Sequence, residues 1–391
     1  VQNLGIDVLY MTPIFKSYSS HKYDIIDYYQ IDPSFGTTED LRELVQEAHK
    51  RGMKIVMDAV FNHTGREFFA FEDIMEKGEK SKYLDWYYIE KFPLESERGE
   101  IPNYKCFGYY GGMPKLNLKN PEVEKFFTDV ACYWIKECDI DGWRMDVGDE
   151  ISHYFWKNFR RAVKAVKKDM LIIGEIWHYA GDFLEGDEWD TVMNYPFYLN
   201  LIDLLADEKI NVSQFIQNLG YLKGRLNKKC YPLMWNLIDS HDTARFLHLC
   251  KDNKKKQHLA AAFQLLLPGM PMIYYGDEFA MPGANDPDCR RGMYWDEEYQ
   301  DKEMFEWYKQ LLKVRKNHAC IVEGEPLEIA ARDGEETIVL TRKNDEETLA
   351  LIFNCNSSAR VFHEYAQKYD LLREKPFDGK IEGLEAAVIV L

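Results

Sequence analysis

The feature that most constrains this chain is a strict alternation of short apolar, β-rich runs with stretches of helical period. "IDVLYM" (6–11) reads as a buried strand. After a loop, Leu41, Leu44, Val45 and Ala48 recur at the i, i+3, i+4, i+7 spacing of one helix face. Thr37 with Asp40 makes a capping-box pattern ahead of that helix, and Gly52 ends it. The rhythm then repeats. Strands are predicted over 54–58, 140–146 and 170–175, with shorter ones over 191–194, 233–238 and 272–275. Helices are predicted between them, one opened by Asn120 and Pro121, one around 155–166, and a last one over 302–316.

Strand and helix in alternation dictate a parallel sheet, because a parallel neighbour can be reached only through a crossover. So many units predict an α/β fold closed as a (β/α)8 TIM barrel. An open doubly wound sheet competes, but no GxGxxG follows the first strand. Two segments break the rhythm. Residues 63–118 are too long for a strand-to-helix loop and predict a small inserted domain over the barrel mouth. From about residue 319 the pattern turns β-rich ("TIVLTRK", "LALIFN", "AAVIVL") and predicts a C-terminal antiparallel sandwich. The expected division is therefore barrel over 1–62 and 119–318, insertion over 63–118, and β-domain over 319–391.

Composition excludes several classes of function. A formal net charge of −17 argues against a nucleic-acid partner, which would need clustered Lys and Arg. The longest apolar run, 259–275, is broken by Pro268, Gly269 and Pro271, so it reads as helix, turn and strand and predicts no membrane partner. Eight Cys without CxxC or zinc-type spacing predict reduced thiols in a cytoplasmic protein. With 25 Tyr and 9 Trp the chain is rich in flat faces that can stack on sugar rings, although a large core would use them equally well.

The polar residues gather where a barrel puts its chemistry, at the C-terminal ends of strands. "DAVFNH" supplies Asp58, Asn62 and His63, and "RMD" supplies Arg144 and Asp146. "GE" ends in Glu175, and "SHD" carries His241 and Asp242. Arg144 and Asp146 stand two apart on a strand, so they share a face, and the guanidinium favours an ionised Asp146. Glu175 ends an apolar run beside Ile176 and Trp177, where desolvation would suit it to donate a proton. Converging acids without a metal motif point to glycoside chemistry, in which one carboxylate meets the sugar carbon and another protonates the leaving oxygen. Taken singly, each residue has a blander reading. A buried Arg–Asp pair is more often structural than catalytic, and His63 or Trp177 alone would read as core. The blocks persuade only together, in order and at strand ends.

Those blocks, "DAVFNH", "GWRMDVGDE", "GEIWH" and "SHD", resemble the α-amylase family of glycoside hydrolases over nearly the whole chain. "MPKLN", "VMNYPF" and "DPDCRRGMYW" resemble its neopullulanase, cyclomaltodextrinase and maltogenic-amylase group. The resemblance implies Asp146 as nucleophile, Glu175 as acid/base and Asp242 as the carboxylate that holds and distorts the sugar. It implies a substrate-binding set of Tyr23, His63, Arg144, His241, Trp177, Asp58 and Glu150, with Tyr23 stacking on the ring and Trp177 flanking the leaving group. The implied partner is an α-glucan cleaved with retention at α-1,4 bonds and also α-1,6 bonds, with transglycosylation and a homodimer as further features of the group.

Three departures stand out. Val147-Gly148-Asp149-Glu150 replaces "VANE", and Asp239 replaces a Gly before "SHD". Lys115 stands where many α-amylases carry an Asp that binds calcium, so no cofactor is expected and the structural calcium is unsupported. Seven barrel strands are countable, and "GIDVLYMTPIF" resembles the family's second strand, so the first is expected to precede residue 1. Two other readings compete. A metal-dependent barrel hydrolase lacks its HxH or HExxH. A catalytically weak glycan-binding or scaffold relative would be expected to lose an acid, yet all three acids are present.

Overall fold

A computed structural model describes residues 1–95 and 101–391. Five strands form a parallel sheet in chain order: Val8–Met11, Lys54–Ala59, Gly142–Met145, Leu171–Gly174 and Thr191–Val192. A parallel bridge from Met193 to Trp235 carries the series on to Trp235–Asn236, which pairs with Met270–Pro271. Among the described residues, Val8–Met11 pairs only with Lys54–Ala59, and Met270–Pro271 only with Trp235–Asn236. Six of the seven segments read from the sequence contain consecutive parallel neighbours, several shorter than predicted, and the seventh neighbour forms just before its predicted bounds.

One prediction was displaced. The expected strand over 272–275 pairs instead at Met270–Pro271. Met270 N–H donates to Met234 O at 2.7 Å and Met272 N–H to Asn236 O at 2.8 Å. Proline falls between the two donors, where the ladder asks for no N–H, so the residue that suggested a break is tolerated inside the strand.

Alternation along these strands builds two cores. Val8, Tyr10, Val56, Ile173, Met193, Trp235 and Leu237 pack together inside the barrel. Leu9, Met11, Ile55, Met57, Trp143 and Ile172 face outward onto the helices. In Thr38–Lys50 the Thr37–Asp40 capping box forms as expected, and Leu41, Val45 and Ala48 are buried. Leu44 is not; it lies off that stripe and is exposed. In Pro121–Cys138 the Asn120 side chain accepts from Glu122 N–H, and Val123, Phe127, Val130 and Trp134 face the core.

The described residues of 63–118 carry one longer helix, Phe69–Lys77, and four isolated antiparallel bridges. Phe71, Ile74, Tyr87 and Tyr104 from this segment belong to the same buried cluster as the outer barrel residues. The segment returns to its starting point, where Leu116 N–H donates to Asn62 O at 3.0 Å.

The C-terminal region is an antiparallel sheet of six strands. Ile338, Leu340, Leu351 and Phe353 face the barrel helices, and Phe353 stacks on Phe263 with centroids 4.2 Å apart. The opposite face, with Val339, Ala350 and Ile352, is covered by Phe362, Phe377 and Ile381. The two β layers are unequal. The covering layer is a two-stranded ribbon, Arg360–Val361 with Lys380–Ile381, and not a second full sheet.

Candidate active site

The same alternation that fills the barrel interior delivers the site. Val56 faces inward, so Asp58, two residues on, does so as well. Register then sets Arg144 beside Asp58 and Ile173 beside Arg144. One step beyond the strand ends come Asp146 and Glu175. Three adjacent strands therefore raise two layers of charge above an apolar plug.

Arg144 is fully buried and organises the group. Its Nη1 donates to Asp146 Oδ1 at 3.0 Å and to Asp58 Oδ2 at 3.1 Å. Its Nη2 lies 2.9 Å from Glu175 Oε2 and 3.9 Å from Asp242 Oδ2 as ion pairs. Four carboxylates thus share one guanidinium. Asp146 Oδ2 has no hydrogen-bond partner among the described residues. Glu175 also accepts from Val147 N–H at 2.8 Å and from the Trp177 indole at 3.3 Å. Val147 makes that contact from a left-handed conformation, φ 46° and ψ 44°. For a β-branched residue this is a strained state of order 1–3 kcal/mol, held by its surroundings.

The electrostatics follow from crowding. Burial is the largest effect on Asp146 and pushes its carboxyl well up, the Glu175 charge adds to that, and Arg144 opposes both. Arg144 therefore works against the rise, in the direction expected from its place two residues before Asp146. Asp58 is pushed up to about 6 by burial, again against Arg144. Burial also raises Asp242. Glu175 is buried as predicted, but its closest partners are a guanidinium and a backbone amide, which the sequence did not disclose.

Two tyrosines close the deep side. Tyr10 Oη donates to Asp58 Oδ2 at 2.5 Å and Tyr23 Oη to the same oxygen at 3.1 Å. Tyr23 Oη is 2.6 Å from His241 Nε2, which is 3.2 Å from Asp242 Oδ2. Burial, with Arg144 and Arg290 next, lowers His241 to about 3 and keeps it neutral. Burial likewise lowers His63 to about 3.

The structure thus brings together Asp58, Arg144, Asp146, Glu175, Asp242, His241, Tyr23 and Trp177. Two predicted residues stand apart from the carboxylates. His63 contacts Tyr23 O at 3.1 Å and stacks on Phe107. Glu150 accepts from Lys115 Nζ at 2.6 Å, and the same ammonium donates to Asn62 Oδ1 at 2.5 Å. Tyr10, Tyr195 and Arg290 were missed. Tyr10 shares the inward face of its strand with Val8, a signal that alternation could have given. Tyr195 stacks on Trp177 with centroids 3.8 Å apart, and Arg290 Nη2 lies 3.5 Å from Asp242 Oδ1. Tyr195 opens the helix Tyr195–Leu201 and Arg290 closes a short 3-10 turn; both lie within the blocks "VMNYPF" and "DPDCRRGMYW", but nothing local assigned their side-chain contacts.

The sequence profile of the alpha amylase catalytic domain matches residues 1–324. The chain belongs to the alpha-amylase family. It is 44% identical over 378 residues to a cyclomaltodextrinase of Thermoanaerobacter pseudethanolicus, covering 96% of this chain and 65% of that protein. It is 48% identical over 325 residues to neopullulanase 2 of Thermoactinomyces vulgaris, covering 83% of this chain and 55% of that protein. A solved cyclomaltodextrinase superposes with a TM-score of 0.93 at 39% identity, covering 99% of this chain and 68% of the other. The chain therefore spans between about half and two thirds of the length of these curated relatives.

In many family members an acidic side chain at the position of Lys115 would help to hold calcium. Here the ammonium itself sits among Asn62 Oδ1, Glu150 Oε2 and, at 3.4 Å, Glu150 O. A cation already bonded to those oxygens does not fit a calcium ligand set.

Proposed function

We propose that this chain hydrolyses α-glucans with retention of configuration, cleaving α-1,4 and also α-1,6 bonds and transferring glycosyl groups as well as hydrolysing. The observation that carries the reading is the Arg144 cluster. Asp146 Oδ1 is anchored while Oδ2 has no protein partner, and Glu175 rests on the other guanidinium nitrogen. In this mechanism Asp146 attacks the anomeric carbon while protonated Glu175 gives its proton to the glycosidic oxygen, and that bond breaks. Glu175 then takes a proton from water, which attacks the glycosyl ester and frees Asp146. Asp242 and His241 hold sugar hydroxyls, Trp177 flanks the departing unit, and Asp58 with the two tyrosines fixes the guanidinium.

The chemistry as proposed needs no metal. Support comes from Lys115, which occupies a cation's place. A cytoplasmic location and a homodimer belong to the same proposal; eight unpaired thiols support the former. No described helix is long and apolar enough to cross a membrane. Separate incubation with β-cyclodextrin, pullulan and maltotriose, with products resolved by chromatography, tests the reading. Release of maltose or panose supports it, and no product from any of the three contradicts it. The competing reading, a glycan-binding relative that does not turn over, would bind these sugars and leave them intact.

A further inference from the structure

A groove of about 390 Å³ adjoins the site at Trp177 and is lined by Trp177, Tyr179, Asn200, Asn218, Tyr221 and Arg225 among others. None of these except Trp177 takes part in the chemistry described above. Trp177 joins the two regions. Its indole N–H points to Glu175 Oε1, and its ring, 40% exposed, also lines the groove.

The far end is built with unusual care for a surface. The Arg225 guanidinium lies over the Tyr179 ring at 4.0 Å and over the Tyr221 ring at 5.2 Å. It donates to Tyr221 Oη at 3.1 Å, and Tyr179 Oη donates to Arg225 O at 2.9 Å. Those contacts fix the guanidinium plane and leave further N–H donors of the fork to reach outward. Tyr221 is nonetheless 66% exposed, a large aromatic face kept in water. Asn218 donates to the buried Asn200 at 2.8 Å, which fixes a carboxamide on the wall. Aromatic faces beside oriented amide and guanidinium groups are the chemistry that recognises pyranose rings, stacking on C–H faces and bonding hydroxyls.

We propose that this groove binds a run of glucosyl units on the leaving-group side, so that Tyr221 and Arg225 set a preference for long substrates and acceptors over short ones. This rests on the hydrolase reading for its orientation, since Glu175 marks where the departing unit lies. Area alone would equally suit a protein surface. The continuity with Glu175 through Trp177 favours the glucan.

Tyr221→Ala and Tyr221→Phe separate the outcomes. With maltoheptaose, kcat/KM of the alanine variant should fall roughly five- to tenfold, the scale of one lost ring contact. With maltotriose it should stay within about twofold, and phenylalanine should restore most of the long-chain value. Equal losses on both substrates, or none on either, overturn the proposal. An altered sedimentation coefficient with unchanged kinetics makes the groove an interface between copies and also overturns it. Maltoheptaose binding to Asp146→Asn, read by calorimetry with and without Tyr221→Ala, tests the groove independently of turnover. Absence of turnover on every glucan defeats the hydrolase reading alone, whereas unchanged binding defeats the groove alone.

Discussion

Among the described residues, Arg144 and Arg245 are both fully buried beside buried carboxylates, and the two clusters differ in access. Around Arg144 the side chains grade outward, with Asp58 at 0% exposure, Asp146 at 7%, Glu175 at 9% and Asp242 at 28%. Around Arg245 there is no gradient; Arg245, Asp277 and Asp239 are all buried to within 1%. Arg245 spends its donors on Asp277 Oδ1 and on the carbonyls of Tyr275 and Cys289, and it lies over the Tyr274 and Tyr275 rings. Asp239 Oδ2 accepts from Phe246 N–H at 2.7 Å. The second cluster ties together the loop bearing His241 and Asp242, and the first opens to the barrel mouth where the proposed chemistry would meet substrate. An ion cluster therefore becomes a site through graded access at a strand end. Buried charge alone makes a lock.

The sharpest way to break this comparison is to remove one carboxylate from each cluster. Asp146→Asn should lower kcat by roughly a thousandfold or more, as loss of a covalent nucleophile requires. Its folding stability should hold or rise, because Arg144 keeps Asp58 and Glu175 while the acids repel less. Asp277→Ala should do the reverse. It leaves Arg245 short of a counter-charge and should cost about 3 to 5 kcal/mol in urea unfolding. If Asp146→Asn is the variant that unfolds, the two roles have been exchanged.

A smaller effect concerns pH. His63 and His241 have folded-state values near 3 against an ordinary 6.5, mainly through burial. Between those values the unfolded chain binds protons that the folded chain does not, so stability rises with pH across the window. Their contribution is complete above about 6.5 and is lost as pH falls toward 3. His63→Asn should therefore weaken the loss of Tm between pH 7 and pH 5. An unchanged slope would show that His63 is not held neutral. The smallest expected effect is that of a chelator. With Lys115 bonded to Asn62 and Glu150, EDTA should leave turnover within about 20% of the untreated rate, judged against the scale of metal-dependent activity. A loss reversed by added calcium would contradict this.

Much of the site was legible because a barrel converts sequence position into spatial position. Residues two apart on a strand, such as Asp58 above Val56, must share the interior, and strand ends must meet at one mouth. The less legible parts depend on side-chain and backbone contacts between segments that are separate in sequence. Nothing near Tyr195 announces that it stacks on Trp177, and nothing near Val147 announces a left-handed backbone whose amide reaches Glu175. Glu150 and His63 were placed by motif, yet their side chains turn to Lys115 and to Tyr23 O. The size of the second C-terminal β layer was hidden for a related reason. Alternation shows that a strand is covered on both faces, but not whether the cover is a sheet, a ribbon or a helix.

The central claim is that Asp146 and Glu175, gathered on Arg144, act by double displacement. Proton NMR of the sugar released in the first minutes of α-glucan cleavage, before mutarotation mixes the anomers, tests it most directly. The account predicts the α-anomer as the initial product. Initial release of the β-anomer would mean a single inverting displacement and would contradict Asp146 as nucleophile.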